Sequence, residues 1–228
     1  PIVVNGLTWL PFTQLAVWGI MAWVAGRDHP ERSWLARLRV GALTMPVILG
    51  PEWGHNLAHA AAAQLVGKPM DALRITWGMP LVVYHDINDQ SVTPSQHIVR
   101  ALGGPVFNTL LFLLAVISRQ FTRLGSVARE VVNAAVGMNL FLSTVSLLPI
   151  PGIDGGPILK WSLVERGDSL EQADEMVKEV NKVVGIGLGS GAVFAFKKKR
   201  KFIGAILAMF SLIALAVGWG LISEQKAD

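Results

Sequence analysis

The sequence contains no cysteine, which excludes a secreted scaffold held together by disulfides. It is also poor in charge: only 16% of its 228 residues are charged, against roughly 25% in an average soluble domain. The formal net charge of +4 is small, and its distribution predicts no nucleic-acid surface. The composition also argues against a coiled coil and against a disordered protein.

Apolar residues are what the sequence has in excess. They make up 52% of the chain, and the mean hydropathy is +0.47, more than a soluble protein of this length could bury. A helix needs about 20 apolar residues to cross the hydrocarbon of a bilayer. Five segments meet that requirement with at most one charge each, and we predict an all-α polytopic membrane protein that spans the bilayer with residues 1–26, 40–67, 101–118, 131–153 and 202–223.

Two features of the C-terminal third do not predict spans. Residues 169–182 have the pattern of an amphipathic surface helix, with Ser169 and Gln172 placed to form a capping box. The apolar segment Val183–Phe196 has only 14 residues and glycine at alternate positions, which favours a closely packed or bent segment that does not cross on its own. The loops on one face of the membrane hold twelve Lys and Arg residues and those on the other face hold eight, whether or not this segment crosses. The basic run Lys197–Lys201 is predicted to be cytoplasmic in both topologies.

Residues 68–100, between the second and third spans, differ from the rest of the chain. Leu73–Trp77 and Leu81–Tyr84 are short runs of β-forming residues, separated by Gly78-Met79-Pro80. This pattern predicts a small β-hairpin inserted between two membrane helices.

The second span carries polar residues where they are costly. His55 and His59 are four residues apart and therefore share a helix face, with Glu52 and Asn56 close to them around the helix. Ionisable groups inside a membrane segment usually serve a function. Asp154 follows a fourth span that is broken by two prolines, which makes it a plausible third ligand. Two imidazoles and one carboxylate are a ligand set of zinc with one position left open.

Three motifs lie in order on the predicted spans: the histidine pair, Gly104-Pro105-Val106-Phe107-Asn108 on the third span, and Pro149-Ile150-Pro151 before Asp154-Gly155. Over roughly residues 40–160 their order and spacing resemble those of the site-2 proteases, intramembrane zinc metalloproteases that cut membrane helices. The resemblance implies that His55, His59 and Asp154 hold Zn²⁺. It also implies that the hairpin presents a substrate strand by edge pairing, and that Asn108 helps to position the substrate or the site.

The chain departs from the family pattern at residues expected to take part in catalysis. The family has a glutamate general base where this chain has Asn56, and an amide cannot take a proton from water. Glu52, one turn earlier, is the candidate substitute base. Ser146 stands where the family usually has an asparagine, and Asn139 lies one to two turns upstream. We therefore count Asn108, Asn139 and Ser146 as candidate substrate-positioning residues.

Two functions fit this pattern. The first is a site-2-protease-like zinc metalloprotease that is hydrolytically impaired or inactive. The second is a non-catalytic pseudoprotease that serves as a structural or assembly subunit of a membrane complex. A natural loss of the base and a Glu-to-Asn exchange made to trap a substrate would leave the same sequence. Both functions imply a membrane-protein substrate or partner helix, a lipid bilayer, no nucleic acid, and a multi-pass protein of a prokaryotic cytoplasmic membrane.

The expected organisation follows the same resemblance. Residues 1–39 are predicted to form an N-terminal membrane helix and loop, and residues 40–160 a site-2-protease-like core. Residues 161–228 are predicted to hold the amphipathic helix, the short apolar segment, the basic run and a last membrane helix.

Overall fold

A computed structural model describes residues 1–222. Within that range the chain forms three strands, a short 3-10 helix at Gly6–Trp9, and seven α-helices. The strands are β1 (Ile2–Val4), β2 (Ala72–Thr76) and β3 (Met79–Val83). The helices are α1 (Phe12–Asp28), α2 (Trp34–Leu65), α3 (Pro94–Gln120), α4 (Val127–Val145), α5 (Gly155–Glu165), α6 (Leu170–Lys197) and α7 (Lys201–Gly218). The predicted helical architecture with a small β insertion is confirmed.

The hairpin between α2 and α3 is antiparallel, as predicted, with Leu73 opposite Val82 and Ile75 opposite Pro80. Its turn is Trp77-Gly78, and both residues have positive φ, 53° and 81°, as a two-residue hairpin turn requires. The turn therefore comes earlier than the sequence suggested, and Pro80 belongs to β3. β3 is an edge strand, where a proline is tolerated because no neighbour needs its missing N–H.

The prediction of one helix over residues 1–26 is wrong at its N-terminal end. Ile2–Val4 forms β1, which pairs in parallel with β2 and makes the sheet three-stranded, in the order β1-β2-β3. The 3-10 helix follows, and α1 begins only at Phe12. Thr8 ties this segment to the sheet, because its hydroxyl donates to the Ile75 carbonyl at 3.2 Å.

The described chain divides into two compact units. The first comprises residues 1–87 and 102–145, in which α2 packs against α1, α4 and β3. The second comprises residues 88–101 and the chain from 146 onward, in which α6 packs against α5 and α7. The boundaries at residues 39 and 160 remain a prediction from the sequence.

The predicted amphipathic helix and the short apolar segment after it are one continuous helix, α6. Its N-terminus carries the predicted capping box, with the Ser169 amide donating to Gln172 Oε1 at 2.8 Å and the Gln172 amide donating to Ser169 Oγ at 3.2 Å. The glycines serve close packing on α7: a Cβ at Gly185 would lie 2.6 Å from Leu215 Cγ. The Ser211 hydroxyl donates to the Gly185 carbonyl at 2.7 Å across the same contact.

Two of the described helices, Pro94–Gln120 and Lys201–Gly218, are long and apolar enough to cross a membrane by length and composition. On α3, Leu110, Leu113, Leu114 and Ile117 are each more than half exposed, as side chains facing lipid would be. The other three predicted spans, and with them the multi-pass topology, remain predictions. The last predicted span ends at Ser223, which lies outside the described residues.

Candidate metal centre

The histidine pair lies in the middle of α2, one turn after Pro51. His55 and His59 are both buried, and their Nε2 atoms are 3.1 Å apart. Two nitrogens bound to one tetrahedral zinc at 2.0–2.1 Å would be separated by about 3.4 Å. The two imidazoles are therefore already at the spacing of two ligands of one ion. The i, i+4 pattern predicted that the two rings share a helix face, and their role as metal ligands stays a prediction.

Gly104 on α3 makes room for the pair. A Cβ at this position would lie 2.5 Å from Nε2 of both histidines, which is closer than any side chain tolerates. The Gly104 N–H faces His59 Nδ1 at 3.4 Å. The glycine of the Gly-Pro motif thus lets the backbone of one helix approach the ligand atoms of another.

Two buried asparagines stand behind His55. Asn108 Oδ1 lies 2.6 Å from His55 Nδ1, and Asn108 Nδ2 donates to Asn139 Oδ1 at 3.1 Å. Because Asn108 is fully buried and its Nδ2 is the donating end of the amide, its Oδ1 accepts the Nδ1 hydrogen of His55. The lone pair of His55 is then at Nε2, facing His59. Outer partners of this kind fix the tautomer and orientation of a metal ligand.

Asp154 is the N-cap residue of α5, at the end of the proline loop. The Gly155 amide donates to the Ser146 carbonyl at 2.8 Å, and Asn181 Nδ2 donates to the Pro149 carbonyl at 2.6 Å, so both ends of the loop are held. A Cβ at Gly155 would lie 2.3 Å from the carbonyl oxygens of residues 147 and 148. The loop therefore requires glycine directly after the aspartate.

His55, His59 and Asp154 form a group of side chains that could hold a metal ion. The donor set fits zinc: two neutral imidazole nitrogens and one carboxylate oxygen, the histidines buried and Asp154 half-buried. Within residues 1–222 this is the one group of three or more such side chains close enough to share an ion.

We compared the chain with known protein families, curated sequences and solved structures. No family model matches the chain, and no curated protein matches it in sequence. Among solved structures it is similar to the site-2 protease from Methanocaldococcus jannaschii, with a TM-score of 0.54 over 100% of this chain and 94% of that one. The sequences are only 14% identical over this alignment.

The chain has the fold of a site-2 protease.

Within this site-2 protease fold, Asn56 is buried and engaged on both sides of its amide. Its Nδ2 donates to the Glu52 carbonyl at 3.0 Å and faces Glu52 Oε1 at 3.4 Å. Its Oδ1 accepts from the Val82 amide of β3 at 3.2 Å. Asn56 is thus bonded to the edge strand, a contact that the sequence pattern did not indicate.

Ser146, the other departure from the site-2 protease pattern, is buried, and its hydroxyl has no hydrogen-bond partner among the described residues. Its backbone carbonyl closes the proline loop through Gly155. Asn139 extends the Asn108 contact, and its Nδ2 donates to the Ala135 carbonyl at 2.8 Å. These contacts support a part in ordering the site for Asn108 and Asn139, and their part in substrate positioning stays a prediction.

Two further side chains of the site-2 protease fold hold the hairpin, and sequence reasoning missed both. Trp53 Nε1 and Gln14 Nε2 donate to the Gly78 carbonyl at 3.1 and 2.6 Å. Trp53 lies between Glu52 and the histidines, yet an indole has no place in a ligand motif. Gln14 is a lone amide in an apolar segment, and its partner is 64 residues away. No local spacing signals such a contact.

Proposed function

We propose that this chain is a site-2-protease-like membrane protein that binds zinc through His55, His59 and Asp154, and that hydrolyses peptide bonds very slowly or not at all. The observation that carries the proposal is the pair of Nε2 atoms 3.1 Å apart, with His55 oriented from behind by Asn108. A zinc ion bound there would act as a Lewis acid toward water or a substrate carbonyl.

Loss of hydrolysis follows from the side chain at position 56. A carboxylate takes a proton from water, whereas an amide can only donate or accept a hydrogen bond. Removing a general base costs typically 10²–10⁴-fold in rate. The Asn56 oxygen is also engaged by the Val82 amide, so it is not directed at water in this conformation.

Glu52 is the candidate substitute base. It is half-buried, one turn before His55, and its Oε1 is 3.4 Å from Asn56 Nδ2. The amide therefore fixes the carboxylate on the histidine turn of α2. If Glu52 serves as base, the enzyme is slow rather than inactive.

The alternative is a pseudoprotease that binds a membrane protein and cuts nothing. The contact between Asn56 and β3 favours it, because the residue in place of the base has a structural partner. In both cases we propose a membrane-protein substrate or partner helix, a lipid environment and a multi-pass protein of a prokaryotic cytoplasmic membrane. The apolar, exposed face of α3 supports the lipid environment.

The test has two parts. The first measures zinc binding to the detergent-purified protein by metal analysis and competition with a chromophoric chelator. His55→Ala is expected to abolish binding, and Thr109→Ala, an exposed position one residue after Asn108, is expected to leave it unchanged. Wild-type protein without zinc affinity would overturn the proposal.

The second part measures cleavage of a membrane-segment reporter by wild type and Asn56→Glu. The exchange places a second carboxylate close to Glu52, so it is also made together with Glu52→Gln, which removes the repulsion. Restoring the base should raise cleavage by about 10²–10⁴-fold.

Three outcomes separate the candidates. Zinc-dependent cleavage by wild type that Glu52→Gln abolishes identifies Glu52 as the base. Cleavage only with Asn56→Glu shows a complete site that lacks its base. Zinc binding without cleavage in any variant, together with a stable partner complex that survives His55→Ala, favours the pseudoprotease.

A further inference from the structure

The outer edge of the sheet presents little that another strand could bind. β3 is an edge strand, and the Val83 carbonyl accepts from the Asp71 amide, on the side of β2. Because alternate residues face opposite edges, Pro80 and Val82 face outward. Proline has no N–H, so the Val82 amide is the single outward backbone donor of β3.

Asn56 accepts the hydrogen bond from that amide. Its Oδ1 accepts from the Val82 amide at 3.2 Å, while its Nδ2 is turned toward Glu52. Glu52 therefore selects the orientation of the amide, because the reversed amide would point a donor at Val82 and an acceptor at the Glu52 carbonyl. Asn56 is only 6% exposed, so water does not compete for the bond.

The same face of α2 holds the other end of β3. Trp53, three residues before Asn56, donates to the Gly78 carbonyl of the turn. Two successive turns of α2 thus hold the hairpin through Trp53 and Asn56 and carry the histidine pair at His55 and His59.

We propose that Asn56 is a clasp on the sheet edge: an extended segment of a membrane protein can pair fully with β3 only after Asn56 releases the Val82 amide. The proposal rests on the proposed function in taking such a segment as the partner. It makes Asn56 a positioning residue, and it explains why an amide suits this position. Asparagine accepts from Val82 and donates to Glu52 at once, which a carboxylate does not.

The test measures amide hydrogen exchange of the protein and its binding of a peptide, both in detergent micelles. Hydrogen exchange of the ¹⁵N-valine-labelled protein reports on the Val82 amide. A biotinylated peptide of eight alternating Val and Thr residues is the probe of the edge, captured by a photoreactive residue placed at exposed Leu81. Asn56→Ala should speed exchange at Val82 and tighten peptide binding by about 2- to 10-fold, the equivalent of one hydrogen bond.

Two variants serve as controls. Trp53→Phe removes the hydrogen bond from α2 to the Gly78 carbonyl of the turn but leaves the Gln14 bond to the same carbonyl, so Val82 exchange and peptide affinity should stay at wild-type values. The double variant Glu52→Gln with Asn56→Asp keeps an acceptor for the Val82 amide and supplies a side-chain amide donor at position 52, although the hydrogen bond to the Glu52 carbonyl is lost. It should move Val82 exchange and peptide affinity from the Asn56→Ala values back toward wild type, which a merely destabilised sheet would not do.

Unchanged Val82 exchange in Asn56→Ala would overturn the clasp, and so would faster exchange without tighter peptide binding. If Asn56→Ala does not fold, the Glu52→Gln, Asn56→Asp double variant decides. Val82 exchange and peptide affinity close to wild type in that variant would support the acceptor role of residue 56, and faster exchange with tighter binding would overturn it. Zinc affinity, measured on the same samples, tests the proposed function separately.

Discussion

His55 is held by Asn108, whose Oδ1 lies 2.6 Å from the Nδ1 atom of the ring. Asn108→Ala removes the acceptor of the Nδ1 hydrogen, so the ring is free to turn and to change tautomer. We expect zinc affinity to fall by about 10- to 100-fold. Chelator competition measures this directly. Thr109→Ala, at the exposed neighbouring position, should retain all of the affinity.

An unchanged zinc affinity in Asn108→Ala would mean that the asparagine does not orient His55. Its part would then lie elsewhere, in binding a substrate backbone, as the family resemblance also allowed.

Gly104 offers a second test at the residue scale. Alanine is ordinarily better than glycine in a helix by about 1 kcal/mol. Here its Cβ would lie 2.5 Å from both Nε2 atoms, and the rings would have to move. We expect Gly104→Ala to weaken zinc binding by about tenfold or more. Chelator competition and thermal unfolding in detergent are the measurements.

Gly137→Ala in α4 is the matched control, because a Cβ there meets nothing within 4 Å. It should stabilise the protein by about 0.5–1 kcal/mol and leave zinc affinity unchanged. Equal behaviour of the two variants would contradict the close approach of α3 to the histidines.

At the scale of elements, the turn between α1 and α2 is fastened to the first turn of α4. Arg32 pairs with Glu130 through two hydrogen bonds, one of them Nη1 to Oε2 at 2.7 Å, and both side chains are mostly buried. The hydrogen bond with Glu130 raises the pKa of Arg32 above its usual value. His29 Nε2 lies 3.3 Å from the same carboxylate.

Arg32→Gln should destabilise the protein by about 1.5–3 kcal/mol, because it leaves the Glu130 carboxylate without its main partner. Arg27→Gln is the control, because the Arg27 side chain is 59% exposed, pairs with its neighbour Asp28 and lies over the Trp23 ring. Its cost should stay within about 0.5 kcal/mol. Thermal unfolding of both variants in detergent decides, and equal midpoints would show that Arg32 contributes no more than a surface pair.

Sequence patterns predicted those elements whose signal is local. The histidine helix and the hairpin each follow from a period within one segment, and the Ser169 capping box from a spacing of three residues. β1 was missed because Ile2–Val4 is apolar in either conformation, and only pairing with β2 distinguishes a strand from a helix there. α6 was divided because its polar and apolar halves differ in composition, whereas the helix hydrogen bonds run through both.

At the scale of the molecule, the α6–α7 pair bears on the number of crossings. The two helices run antiparallel side by side: a Cβ at Gly204 would lie 2.8 Å from Phe196 Cδ1, and one at Gly218 would lie 2.6 Å from Lys182 Cγ. Residues 182–196 therefore lie at the same depth as 204–218. Since α7 is apolar enough to cross a membrane, we expect the second half of α6 to cross with it.

This expectation reverses the one drawn from the sequence, in which Val183–Phe196 did not cross. Because the chain has no native cysteine, each single variant carries one thiol. Glu179→Cys and Lys198→Cys should react with a membrane-impermeant reagent from opposite sides. Glu171→Cys should label from the same side as Glu179→Cys. Labelling of positions 179 and 198 from one side would restore the five-span arrangement.

The sequence by itself identified the candidate site of this chain. A histidine pair at helical spacing, a carboxylate after a proline-broken helix and an amide where the family resemblance leads one to expect a glutamate are all visible in the sequence, because each depends on residue type and local spacing. The tertiary structure decided what those residues touch. Asn56 bonds to Val82, Asn108 to His55 and Trp53 to Gly78 across 25 to 53 residues of chain. Such partners are chosen by how helices and strands pack, and no local period records that choice.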